Sequence, residues 1–171
     1  MLPRLPDLQD AEQLRASFFF SQNANWLVPR RVLLGGYPGS PPPVDELALM
    51  RSLRLQAAVD TFVCLQAEVP AEHFGASPPV QLAGSIACEF RPYVADARAL
   101  NAGRPPQFIH FPMVDHSVAS SLEALDGLII DLARRVRQGE VLYIHCMAGL
   151  GRTGLVAACL LGRQQKPPWQ N

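Results

Sequence analysis

Lysine is almost missing from this sequence: Lys166 is the only one, and every other basic residue is arginine. With 15 basic and 15 acidic residues the formal charge is zero, so no long-range field draws the chain to nucleic acid or to an acidic bilayer. No nucleic-acid partner is expected. Long apolar runs are missing as well, none approaching the roughly 18 residues of a spanning helix, and membrane insertion is not expected. The opening M-L-P-R-L-P-D-L-Q-D places proline and charge where a secretory signal needs an unbroken apolar stretch. A cytoplasmic location is the expectation, with the nucleus also open. Cysteine is sparse, and Cys64, Cys88, Cys146 and Cys159 lack the close paired spacing of a zinc site. Reduced thiols and no metal follow from that pattern.

What the chain does have is the means for one core, since 49% of its 171 residues are hydrophobic. Prolines cluster at 41–43, 78–79, 105–106 and 167–168 and mark loops. Residues 1–30 read as an N-terminal arm that packs Phe18, Phe19, Phe20 and Trp26 onto the domain. Val32 to Leu34 reads as a strand, 44–54 as a helix begun by Asp45 and Glu46, and Ala57 to Leu65 as a buried strand. Periodicity then vanishes, and 66–106 reads as an irregular insertion. The sheet resumes at Gln107–Phe111, with Pro112 expected to end the strand. Ser120 and Glu123 suggest a capping box for a helix with Leu122, Leu125, Ile129, Leu132 and Val136 on its apolar face, stopped by Gly139. Val141–Ile144 is a further strand and Leu155–Leu161 an apolar helix. This order implies an α/β domain with a mostly parallel central sheet flanked by helices.

Between that last strand and last helix stands H-C-M-A-G-L-G-R-T-G, residues 145–154. A loop that leaves a strand's carboxyl end and enters a helix N-terminus points unpaired amides inward and adds the positive end of the helix dipole. The backbone of Met147, Ala148, Gly149, Leu150 and Gly151 therefore forms an anion cradle, with glycines at 149 and 151 to admit close approach. Arg152 can add two parallel donors to a phosphate. Cys146 in such a setting becomes a thiolate nucleophile at neutral pH. Thr153 can stabilise the sulfur as it leaves, and His145 can orient the loop.

This segment resembles the Cys-x-x-x-x-x-Arg signature of the protein tyrosine and dual-specificity phosphatases, matching at His145, Cys146, Gly149, Gly151, Arg152, Thr153 and Gly154. The resemblance implies a catalytic domain over 31–163, hydrolysis of phosphate monoesters through a cysteinyl-phosphate, and no cofactor. It also implies an aspartic acid on a loop about 30 residues before the cysteine as proton donor. Asp115, in F-P-M-V-D-H-S, is the candidate.

Apolar Met147 and Leu150 occupy positions where phosphatases of inositol lipids carry lysine, which favours a phosphorylated protein substrate bearing phosphotyrosine or phosphoserine/threonine. Phosphoinositide hydrolysis and a non-catalytic phosphate-binding scaffold are the alternatives. Cys64 is a candidate partner for Cys146 under oxidation, beside the plainer reading of a core thiol. Relatives continue past the signature helix, whereas 164–171 is a short tail. A homodimer covering the C-terminal helix is one expected remedy.

Overall fold

The computed structural model of the chain describes residues 11–39, 47–75, 90–100 and 103–164. Two strand periodicities set the architecture. In β4 (Thr61–Gln66) and β6 (Leu142–His145) every residue is buried, as strands covered on both faces require. Val63, Leu65, Leu142 and Ile144 point into one apolar layer, and Phe62, Cys64 and Tyr143 into the other. These central strands pair in parallel with each other. β3 (Val32–Gly35) joins β6 and β5 (Gln107–Met113) joins β4, again in parallel. β1 (Phe19–Ser21) and β2 (Ala24–Val28) extend the sheet beyond β3 in antiparallel fashion, giving the order β1-β2-β3-β6-β4-β5. The expected α/β sheet is therefore present and mostly parallel at its centre. Residues 11–30 depart from a simple arm: after α1 (Ala11–Phe18) they supply two of the six strands found among the described residues.

One face of the sheet is covered by α4 (Leu122–Arg137) and α5 (Gly151–Gln164). Leu125, Leu128, Ile129, Leu132 and Val136 form the buried stripe of α4, each contributing about 1.5–3 kcal/mol when fully buried. Ser121 accepts from the Ala124 amide at 3.1 Å, so the cap falls one residue after the expected Ser120 and no capping box with Glu123 forms. That register turns Leu122 outward. Gly139, at φ 89°, ends the segment. No helix among the described residues is long and apolar enough to cross a membrane.

The opposite face is covered by α2 (Ala48–Arg51), the π-turn Ser52–Gln56 that continues it, and α3 (Val94–Ala99). The helix expected over 44–54 thus runs on to Gln56, while Asp45 and Glu46 lie outside the described residues. The described parts of the 66–106 stretch are less irregular than the sequence suggests, residues 76–89 and 101–102 lying outside the described residues. They include a 3-10 turn (Ala71–Phe74) and α3, anchored by the buried Arg54 guanidinium, which donates to the carbonyls of Ala97 and Arg104. Local periodicity is absent there because tertiary contacts hold the backbone. Pro112 does not end β5, which continues to Met113. Among the described residues β5 has a neighbour on only one side, Pro112 faces solvent, and the pairing shifts register at this point, so the missing amide costs no ladder bond.

Candidate active site

The carboxyl ends of β4, β5 and β6 converge on the 145–151 loop. Its fold depends on one close approach: Gly149, at φ 75°, lies so near β3 that a Cβ there would stand 2.4 Å from the Gly35 carbonyl carbon. Only glycine fits. Next to it the Tyr37 amide donates to the Met147 carbonyl at 3.0 Å, tying the loop to the segment after β3. Gly151 meets nothing within 4 Å of such a Cβ, so its side chain is not excluded by crowding.

Cys146 is 4% exposed at the start of this loop. Burial, the largest influence, works to raise its thiol pKa. The Thr153 hydroxyl and the amides of Thr153, Gly149 and Leu150 outweigh it, and the thiol is held below its ordinary value. Cys64, one strand away, shows the contrast: burial pushes its thiol up to about 12, with only weaker compensation from the Gln66 backbone. Two buried thiols near one another are thus set apart by backbone amides.

Arg152 opens α5 and is 3% exposed. Its Nη1 and Nη2 donate to Glu68 Oε2 and Oε1 at 2.6 and 2.8 Å, and Nη1 also donates to the Met113 carbonyl at 3.0 Å. A guanidinium carries five donors in a fixed fork. With its end-on edge taken by Glu68 and its outer Nη1 position by Met113, the remaining edge is the Nε/Nη2 pair. Nε has no hydrogen-bond partner among the described residues, and Nη2 lies 3.2 Å from Asp115 Oδ1. That edge has the geometry for two oxygens of one phosphate.

Glu68 escaped sequence reasoning, because it lies in the aperiodic stretch after β4 and no motif flags it. Burial, the strongest influence, favours its neutral form, but Arg152 and the Gln66 side chain overcome this and hold its carboxyl below the ordinary value. The sign follows: the ion pair is intact above the ordinary glutamate range and is lost only as pH falls through the depressed value.

His145 is fully buried, and burial lowers its pKa to about 3, so the ring is neutral at working pH. Its Nε2 is 2.7 Å from the Tyr93 hydroxyl, and the ring stacks on Tyr143. Tyr93, from the edge of α3, is a second residue that the sequence did not announce. Asp115 lies in the loop between β5 and α4, half-exposed, with His116 Nε2 at 3.7 Å. The structure thus brings Cys146, Arg152, Thr153, His145 and Asp115 to one place, with Met147 to Gly151 forming the loop around it. No group of three or more metal-ligating side chains occurs among the described residues.

Residues 93–166 match a family model described as "Tc-R-P: Polymorphic toxin system, DSP-PTPase phosphatase". The match spans less than half of the chain, and over that segment the chain is similar to the dual-specificity phosphatases. The fold around it is shared with a crystal structure of Tk-PTP in the active form, at TM-score 0.53 and 22% identity, covering 84% of this chain and 75% of that one. A glycine-to-alanine mutant form of Tk-PTP matches with TM-score 0.51 and 23% identity, over 84% of this chain and 73% of the other. No curated protein sequence matches. If the site acts on phosphate monoesters, Glu68→Gln is expected to lower kcat/KM for a small aryl phosphate about tenfold, because Arg152 loses the charged partner that fixes its fork. Steady-state kinetics together with a thermal melt check this.

Proposed function

We propose that the phosphatase hydrolyses phosphate monoesters through a cysteinyl-phosphate on Cys146. The observation that carries this reading is buried Cys146 at the head of the 145–151 loop, its thiol pKa lowered by loop amides, in one site with a buried guanidinium whose Nε has no hydrogen-bond partner among the described residues. A phosphate whose oxygens meet the loop amides and the Nε/Nη2 edge of Arg152 presents phosphorus to the thiolate. The S–P bond forms as the P–O bond to the leaving group breaks, and Asp115 delivers a proton to the departing oxygen. Water then attacks the cysteinyl-phosphate, giving a proton back to Asp115 and releasing inorganic phosphate with the thiolate restored. Thr153 steadies the sulfur in this second step. Neutral, buried His145 takes no part in proton transfer and holds the loop from below.

Asp115 lies against Nη2 of Arg152, at the mouth of the cradle. Phosphate competes for that contact and frees the carboxyl to face the leaving group. Phosphotyrosine and phosphoserine/threonine in proteins are the substrates this reading favours, since the loop offers apolar Met147 and Leu150 where a multiply phosphorylated headgroup needs cations.

Hydrolysis of a small aryl phosphate by wild type, Cys146→Ser and Asp115→Asn across pH tests the reading. In wild type the rate rises with pH as Cys146 ionises, with that limb below the ordinary thiol range. Asp115→Asn is expected to lower kcat about 10²-fold, while a phospho-cysteine still forms with a good leaving group. Full activity in Cys146→Ser would sink the mechanism.

A further inference from the structure

Eight large hydrophobic side chains stand exposed among the described residues, and they are not scattered. Five fall in the two short segments that carry Asp115 and Cys146: Val114 (56% exposed), Val118 (66%) and Leu122 (78%) on one, Met147 (50%) and Leu150 (77%) on the other. The contact between Asp115 and Arg152 brings those segments together at the cradle's mouth. Leu122 is the clearest case. Its spacing suits the buried stripe of α4, yet capping by Ser121 leaves it outside the core and beside the acid loop. Exposed apolar side chains concentrated on two segments that flank one site, rather than spread singly, mark a contact surface.

Charge narrows the occupant. Neither 113–123 nor 145–151 contains a lysine or arginine, and the charged residues they do hold include Asp115 and Glu123. Arg152 is committed to Glu68 and to the phosphate edge. Around the cradle these segments thus offer apolar contact and negative charge, with no fixed cation to receive a second anion. We propose that this apolar collar selects phosphopeptide segments whose residues flanking the phosphorylated side chain are apolar, and disfavours acidic flanks. The phosphate enters the cradle, and a neighbouring apolar side chain lies against Val118 and Leu122 on one side or Leu150 on the other. A bilayer surface is a poorer occupant, because anionic headgroups require basic residues that the two segments lack.

This selectivity rests on the phosphatase reading of the same site, and the test separates the two. Phosphopeptides with one phosphorylated residue and Leu/Val, Ala or Asp/Glu flanks are assayed for hydrolysis by wild type and by a Val118→Ser/Leu122→Ser double variant. Their binding to Cys146→Ser is measured in parallel. Apolar flanks are expected to raise kcat/KM about tenfold over acidic ones, and the double variant to shrink that ratio at least threefold with aryl phosphate turnover unchanged. Equal or better use of acidic flanks overturns the collar while leaving the phosphatase reading intact. So does a preference for vesicle-borne phosphoinositide over every peptide. Apolar preference in binding without hydrolysis keeps the collar and sinks the catalytic reading.

Discussion

Replacing Cys146 with serine is expected to lower kcat for a small aryl phosphate by at least about 10⁴-fold, with KM no higher than in wild type and the thermal midpoint nearly unchanged. The two parameters separate because the residue has two effects on a phosphate dianion. In the proposed mechanism its thiolate is the nucleophile, and a serine hydroxyl has no comparable ionisation in the same cradle. As a charge it repels the substrate it attacks, so its loss relieves a like-charge contact. The amides of Gly149, Leu150 and Thr153 that hold the sulfur remain in place and still bind phosphate oxygens. Stability is spared because the oxygen occupies less space than sulfur and meets the same donors. Stopped-assay kinetics, phosphate titration and a melt read the three quantities independently.

Arg152→Lys is expected to cost about 10³-fold in kcat, although it preserves charge. The arginine bonds in several directions at once: two parallel bonds to Glu68, one to the Met113 carbonyl, and the Nε/Nη2 edge toward the cradle. A lysine ammonium has three donors on a flexible stem and cannot reproduce two parallel pairs. It will satisfy Glu68 or the phosphate. Because the Met113 carbonyl loses its donor as well, the variant should also be less stable by about 1–2 kcal/mol. A melting curve shows the second effect and kcat the first. A Lys variant with near wild-type kcat would mean that point charge alone suffices.

The anion cradle was legible because its chemistry is contiguous: strand, Cys146, glycines, Arg152 and helix succeed one another along ten residues. The buried stripe of α4 was legible for the same reason, through a repeat set by helix geometry. Asp115 needed the family resemblance, since nothing local distinguishes an acid in that loop from a turn-forming aspartate. Glu68 and Tyr93 were not readable at all. Each reaches the site through a tertiary contact from the aperiodic 66–106 stretch, Glu68 to Arg152 and Tyr93 to His145. The difference between Ser120 and Ser121 as helix cap is a single position in a serine pair, and the backbone rather than composition decides it. Pro112 misled because a proline's cost in a strand depends on whether its amide side has a neighbour, which only the sheet order reveals.

That sheet order bears on how the protein behaves in a crowded solution. An open sheet exposes two rows of unpaired backbone groups, each able to recruit a strand from another molecule. One row here belongs to β1, three residues long with irregular register against β2. The other belongs to β5, where Pro112 interrupts the donors and the bulge twists the strand. The fully buried strands β4 and β6 are both interior. The parts of the sheet best suited to templating aggregation are therefore the parts that another chain cannot reach while the fold is intact.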